Sequence, residues 1–358
     1  VGVLEQHAEG HAHGSSHGVG RVTRSTYVHP TYVRLMSIAH GQEWPALEEA
    51  IGEALIHRTG GCIFGPPDGA FHTYAAAVET GGVAVEHLSP ADARERLPCF
   101  RFGDDDGVLW DPTAGVVKAH ATMAGLVRVC TRSGVDLRWG TKVTHIDPGG
   151  SNLRVQTTNG ILQTRKLVVT AGAWAGSLIP QVRPALTVVR QSVAYMSGGD
   201  PALFSLGSMP PWVWLGGGEN GVFYGLPSHD GEEVKIGWHR VVGSGDDPDE
   251  LGATPDPEVG TRTERQAARL FSGAPQRLSR LETCLYTLTD DEDYILDTLP
   301  GDPRVVIGAG FSGHGFKLAP VTGRILAQLA VRGSTDVEPY EADRDRFAIV
   351  NDAEPPTL

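Results

Sequence analysis

Apolar residues recur at helical spacing between residues 32 and 55, at Leu35, Ile38, Trp44, Leu47, Ile51 and Leu55, with polar positions between them. That period predicts one long helix over 32–55, with Gly60-Gly61 as its stop. Shorter helices are predicted over 74–80 and 90–97, the second opened by Ser89-Pro90, and further ones over 118–133, 261–271 and 320–331. Period-two alternation marks strands at 135–139, 141–146, 153–158 and 161–164, with Asn159-Gly160 as a hairpin turn. Unbroken apolar runs at 1–5, 62–64, 166–169 and 305–307 read as buried strands. Residues 186–240 are strand-rich, with turns at 216–221 and 228–231; 6–20 and 242–257 read as loops, and the chain from Gly333 onward as a polar tail. Helices and buried strands alternate at both ends and a β-rich block lies between them. The pattern predicts an α/β (α+β) protein, with a Rossmann-like nucleotide-binding domain interleaved with an antiparallel-sheet domain.

Composition narrows this picture. The 358 residues are enough for about two domains. With 43 acidic against 30 basic side chains, the formal charge of −13 argues against a nucleic-acid surface. No apolar run reaches the length of a membrane span, so no membrane partner is expected. The start of the chain lacks the basic and apolar regions of a signal peptide, and Cys62, Cys99, Cys130 and Cys284 form no CxxC pair. These features predict a cytoplasmic protein without a zinc ribbon or a disulfide scaffold.

Several constellations carry candidate chemistry, each beside a plainer reading. Gly308-Ala-Gly-Phe-Ser-Gly313 matches G-x-G-x-x-G, but the helix is predicted to begin only near Pro320. The match therefore reads as a loop whose backbone approaches a planar ligand, or as a structural turn. Glu5 ends a strand, where a carboxylate can bind a ribose, although acids at strand ends are common. His7, His11, His13 and His17 could attract zinc, but Gly10 and Gly14 interrupt any helix that would align them. Arg21 and Arg24 share a face if their segment is helical, as a carboxylate clamp or as solvated charge. Lys235, Gly237 and His239 share one face of a predicted strand, which is either functional or simply wet. Cys284 and Tyr286 likewise share a face, Cys284 being either a small hydrophobe or a functional thiol.

Together these segments resemble the monomeric sarcosine oxidase and N-methyltryptophan oxidase group of flavin-dependent amine oxidases, within the D-amino-acid-oxidase-like flavoproteins. The resemblance rests on Gly14-Ser-Ser-His-Gly18 with Arg21 and Arg24, Thr170-Ala-Gly-Ala-Trp174, Tyr224-Gly-Leu-Pro227 and Lys235-Ile-Gly-Trp-His239. Cys284-Leu-Tyr286-Thr, Asp291-Glu-Asp-Tyr-Ile-Leu-Asp297 and Gly310-Phe-Ser-Gly-His-Gly-Phe-Lys317 complete it, in family order. It implies FAD, attached covalently through Cys284 to the flavin 8α-methyl carbon. It implies that Glu5, Ser16, His17, Arg21, Val143, Gly310, Gly313, Gly315 and Lys317 contact the cofactor, and that Arg24 and Lys317 grip the substrate carboxylate. Tyr224, His239 and Tyr286 would line the substrate pocket, and Lys235 would activate dioxygen. The family often has Asp-Thr where this chain has Val19-Gly20.

The implied domains are an FAD-binding domain of 1–57, 115–185 and 284–340, a substrate domain of 58–114 and 186–283, and a tail of 341–358. Glu5 would end the second strand of a βαβ unit, so the first strand and its G-x-G-x-x-G are expected about 25–30 residues before Val1. The implied activity is oxidation of sarcosine or another N-methyl amino acid by hydride transfer to the flavin. Dioxygen then reoxidises the flavin to give hydrogen peroxide, the imine hydrolyses, and the protein acts as a monomer. The alternatives are an oxidase of a cyclic imino acid or other amino acid (pipecolate, proline, a D-amino acid), or an FAD-deficient fragment.

Overall fold

The structure is a computed structural model that describes residues 1–67, 69–216, 221–229, 231–239, 242–245, 248–251, 254–273 and 277–349. Its largest unit is one long sheet. The strands Val242–Gly245, Thr187–Ser197, Glu233–His239, Val222–Leu226, Trp212–Leu215, Gly61–Gly65, Gly107–Asp111 and Glu86–Leu88 follow one another across it, and Arg277–Leu288 also pairs with Thr187–Ser197. The pairing is antiparallel except where Trp212–Leu215 meets Gly61–Gly65 in parallel, so this sheet is mixed and not purely antiparallel as expected. The two parallel strands come from distant parts of the chain, and parallel neighbours require such a crossover.

The sheet's two faces differ. On Glu233–His239 the side chains Val234, Ile236 and Trp238 are buried in an aromatic core with Phe223, Trp212, Phe100 and Phe271, beneath the helix Pro257–Leu270. Burying such rings supplies most of the packing energy on that side. The alternate positions face the opposite way and build the site described below.

The nucleotide side is made of smaller pieces. Gly2–Leu4 runs parallel to Asp136–Arg138, and Leu167–Val169 runs parallel to Asp302–Ala309, which also pairs with Ile295–Leu299. Val143–Asp147, Leu153–Thr157 and Gly160–Thr164 form the expected meander, with its two-residue turn at Thr158-Asn159, one position before the expected Asn159-Gly160. Helix Ala319–Arg332 buries Val321, Ile325 and Leu329 against Tyr294, Val306 and the helices near the N-terminus.

Four expectations are corrected. The helix predicted over 32–55 is Pro30–Ile38, a π turn Ala39–Glu43 and Trp44–Ile51, and it stops at Gly52, not at Gly60-Gly61. Pro45 has no N–H to continue an α ladder, and the Trp44 N–H reaches back to the Ala39 carbonyl. The predicted tail is not a free tail as far as it is described. Glu338–Glu341 is helical, Arg344–Phe347 forms a 3-10 turn, and Val337, Tyr340, Phe347 and Ile349 are buried. Residues 350–358 lie outside the described residues. Residues 242–245 pair with Thr187–Ser197, and Asp256 caps the helix that starts at Pro257, so the expected 242–257 loop is partly ordered structure. Residues 217–220, 230, 246–247 and 252–253 within the predicted turns and loop lie outside the described residues. Lastly, Arg277–Leu288 runs unbroken through position 284, with Leu288 opposite Thr187 and Arg277 opposite Ser197. Residues 284–288 therefore continue the large sheet and do not begin the nucleotide side. No described helix is long and apolar enough to cross a membrane.

Candidate active site

Strand register assembles the site. Across the large sheet Tyr195 lies opposite both Lys235 and Arg280, Val193 opposite Gly237 and Glu282, and Gln191 opposite Cys284. Gly237 in turn faces Tyr224, and Val222 faces His239. Residues directly opposite share a face, so Lys235, His239, Tyr224, Cys284, Tyr286 and Glu282 all project to the same side. That side forms one wall of a cavity of about 2730 Å³. The volume exceeds the roughly 300–1,000 Å³ of an ordinary small-molecule pocket and suits a large cofactor together with a substrate.

Glu5, Ser16, His17, Arg21, Val143, Gly313, Gly315, Arg24 and Lys317 line the same cavity. Gly310 does not line it: the loop turns there, and a Cβ would sit 2.6 Å from the Thr289 methyl. At Gly313 the φ is 76°, and a Cβ would lie 2.3 Å from the Tyr286 ring, so only glycine lets that ring close over the loop. The loop is followed by the turn Phe316–Leu318 before helix Ala319–Arg332 starts. The G-x-G-x-x-G match is therefore a loop whose end lines the cavity, and it does not open a helix.

The Glu5 carboxylate caps the turn after its strand, accepting the His7 N–H at 2.9 Å, and lies 3.6 Å from His11 Nε2. His7, His11 and His13 stack on one another, with ring centroids 4.1–5.9 Å apart. Among the described residues no group of three or more His, Cys, Asp or Glu is placed to hold a metal. His17 stands apart from that stack, its Nε2 donating to the Thr283 carbonyl at 3.0 Å while Nδ1 is buried without a partner. Burial, and next Arg21, push its imidazole below the ordinary histidine range. Gly20–Thr23 is a strand, so Arg21 and Arg24 do not share a helical face. Arg21 donates to the Ser15 and His17 carbonyls at 2.6 Å and clamps the loop that carries His17. Arg24 donates to the Thr26 carbonyl and, at 3.0 Å, to the Tyr74 hydroxyl.

Lys235 makes no hydrogen bond or ion pair with any described residue, and its Nζ lies 5.9 Å from the centre of the Tyr195 ring. Burial, and next the charge of Arg21, push it down to about 8. Burial pushes the Cys284 thiol up, against the pull of Lys235. The Tyr224 and Tyr286 hydroxyls are 3.2 Å apart, and burial pushes Tyr224 up to about 12, so it is a neutral phenol at pH 7. His239 Nε2 lies 3.9 Å from a Glu292 carboxylate oxygen at the cavity rim. Lys317 is 6 % exposed, its Nζ donates to the His314 carbonyl at 3.2 Å, and burial followed by Arg24 lowers it far below the usual lysine value.

The residues present fit FAD. The cavity runs from a strand-end carboxylate to a buried cation pair, holds an orphaned imidazole nitrogen on His17, and presents a free thiol between them. Sequence reasoning missed Tyr74, Tyr195, Glu282, Tyr294 and His314 as site residues. Of these Tyr294 and His314 sit inside quoted motifs; the others are brought in by pairing and packing, which leave no local signal.

Comparison with known proteins agrees with this geometry. The model of the FAD dependent oxidoreductase family matches residues 1–329. The chain is 33% identical over 357 residues to the peroxisomal sarcosine oxidase of Homo sapiens, covering 96% of this chain and 89% of that one. It is 30% identical over 345 residues to the monomeric sarcosine oxidase of Streptomyces avermitilis, covering 93% and 87%. Among solved structures, NikD, an unusual amino acid oxidase essential for nikkomycin biosynthesis, superposes with a TM-score of 0.85 at 25% identity, covering 99% of this chain and 92% of that one.

Proposed function

Because this chain belongs to the FAD dependent oxidoreductase family, we propose that it is a sarcosine oxidase-like amine oxidase whose substrate is an N-methyl α-amino acid. The observation that carries the reading is the pair Arg24 and Lys317, two cations on the cavity wall that also holds the end of the glycine-rich loop. A carboxylate held by both has one orientation left, which places the amine by position alone. Its charge would also offset the repulsion between Arg24 and Lys317, so binding would favour the protonated lysine.

Glu5, Ser16, His17, Arg21, Val143, Gly313, Gly315 and Lys317 would hold FAD, with Cys284 as its covalent attachment through a thioether to the 8α-methyl carbon. FAD supplies two-electron acceptor chemistry, taking a hydride equivalent from the carbon next to nitrogen, with dioxygen as final oxidant and hydrogen peroxide and a hydrolysable imine as products. Tyr224 and Tyr286, kept neutral by burial, would orient the amine through their hydroxyls. His239, tethered to Glu292, would close the rim. Lys235, whose ammonium makes no hydrogen bond to a described residue, would present a positive charge to dioxygen as it gains electrons. Four free cysteines suit a reducing compartment such as the cytoplasm, and relatives named monomeric sarcosine oxidase suit a monomer.

The test is peroxide release by purified protein with sarcosine, N-methyltryptophan, pipecolate, proline and D-amino acids. Turnover highest on an N-methyl amino acid is expected. Preference for a cyclic imino acid or a D-amino acid would move the substrate class, and a colourless protein would overturn the flavoenzyme reading.

A further inference from the structure

Arg24 and Lys317 reach into one buried corner, and both come close to the same ring. The Arg24 Cζ is 5.0 Å and the Lys317 Nζ 5.2 Å from the centre of Tyr27. Tyr27 is 8 % exposed, and its place is set on every side. Its ring stacks on Tyr32 at 5.2 Å, and its hydroxyl donates to His314 Nδ1 at 2.9 Å. That imidazole is fixed in turn, with Nε2 donating to the Glu292 carbonyl at 3.0 Å and the Tyr294 hydroxyl 2.7 Å from Nδ1. Burial, and next Lys317, push His314 down to about 3, so it remains a neutral acceptor and adds no third charge to the corner. Lys317 is also tethered at its base, because Trp44 Nε1 donates to the Lys317 carbonyl at 2.8 Å.

An aromatic face carries partial negative charge and attracts a cation placed over it. One ring shared by both side chains gives the guanidinium a partner in the free protein, offers the same to the lysine once protonated, and holds them close enough to converge on a single carboxylate. We propose that Tyr27 is a positioning residue for the carboxylate site: its ring face holds Arg24 and Lys317 together, and the His314 hydrogen bond holds the ring. The inference rests on the reading of that pair as the carboxylate site. It adds a residue that acts through two others.

Two variants separate the ring from its hydroxyl. Tyr27→Leu removes the face, while Tyr27→Phe keeps it and loses only the hydroxyl with its bonds to His314 and Tyr294. The probe is acetate, titrated by calorimetry into the purified flavin-loaded protein, with acetamide as the neutral control. Tyr27→Leu is expected to weaken acetate about tenfold or more and Tyr27→Phe about threefold or less, with acetamide unmoved. In turnover, Tyr27→Leu raises KM for the N-methyl amino acid by a similar factor and leaves kcat within about threefold, the mark of lost uniform binding. If Tyr27→Leu does not fold, 4-cyanophenylalanine in place of Tyr27 keeps the shape with an electron-poor face and is expected to behave as the leucine would. Acetate binding unchanged in the face-removing variant, equal losses in Tyr27→Leu and Tyr27→Phe, or no acetate binding by the unaltered protein would each overturn the proposal. Wild-type protein that binds acetate but releases no peroxide would instead overturn the oxidase reading and leave the ring's role standing.

Discussion

Lys235 shows how much one residue's surroundings decide. It lies on a sheet wall between the repulsion of Arg21 and the weaker attraction of Cys284 and Glu282, and burial has pushed its ammonium down to about 8. The sign of the consequence follows directly: the charge is present below that pH and is lost above it. If that charge assists dioxygen, flavin reoxidation is fastest below about pH 8 and declines above it. Lys235→Met should slow reoxidation about 10²-fold or more, by analogy with loss of one electrostatic stabiliser, and should flatten the pH profile. Stopped-flow traces of the two half-reactions check this, and equal slowing of reduction and reoxidation would remove the assigned role. Lys235, His239, Cys284 and Tyr286 were legible in the sequence because a strand's two-residue period announces which side chains travel together. Tyr27, Tyr294 and His314 were not, because their meeting depends on residues 20 and nearly 300 positions apart.

Elements were legible wherever period and punctuation agreed, as at the hairpin near Asn159-Gly160 and the Ser89-capped helix. They were misread where an apolar spacing outlived its element. Leu55 continues the helical spacing but belongs to the segment entering the strand Ile56–His57. The C-terminal segment was misread for the opposite reason: its large apolar residues are sparse, yet Val337, Tyr340, Phe347 and Ile349 are buried. Tyr340 donates its hydroxyl to the Leu296 carbonyl at 2.7 Å, and Phe347 packs against Tyr340 and Tyr32. Arg346 pairs with Asp293 and Asp343, tying this segment to the loop before Tyr294. The segment therefore acts as a brace for the tyrosine cluster beneath the cation pair. Phe347→Ala is expected to cost about 3–5 kcal/mol, the usual range for emptying an aromatic core position. Urea denaturation measures that loss, and a cost under about 1 kcal/mol would show that the segment is not part of the core.

For the whole molecule, the cavity lies between separately built units, with the nucleotide-side sheets and loops on one side and the large sheet on the other. A ligand reaching from Glu5 to Lys317 would bridge them, and any ligand that binds only the folded state stabilises it. Cys284→Ser makes this measurable by making the flavin removable. In the unaltered protein, the yellow colour is expected to stay with the acid-precipitated pellet; in Cys284→Ser it should leave with the supernatant. FAD added back to stripped Cys284→Ser protein at about 100 times its Kd should raise stability by about 2.7 kcal/mol, read as a higher melting temperature. Colour lost from both proteins would exclude the covalent bond, and no rise in melting temperature would exclude the bridging role.

The wall of the site has the grammar of a reading frame. Lys235 and His239 face the cavity while Val234, Ile236 and Trp238 face the core, with Gly237 between them buried beneath the Tyr224 ring. Single replacements at cavity positions can therefore vary the chemistry while the core behind them stays intact. Removing one residue from Glu233–His239 is different in kind, because every side chain beyond the gap would change sides at once. Indole would enter the cavity and ammonium the core. Divergence of such an enzyme toward new substrates is thus open to substitution along this wall and closed to deletion within it.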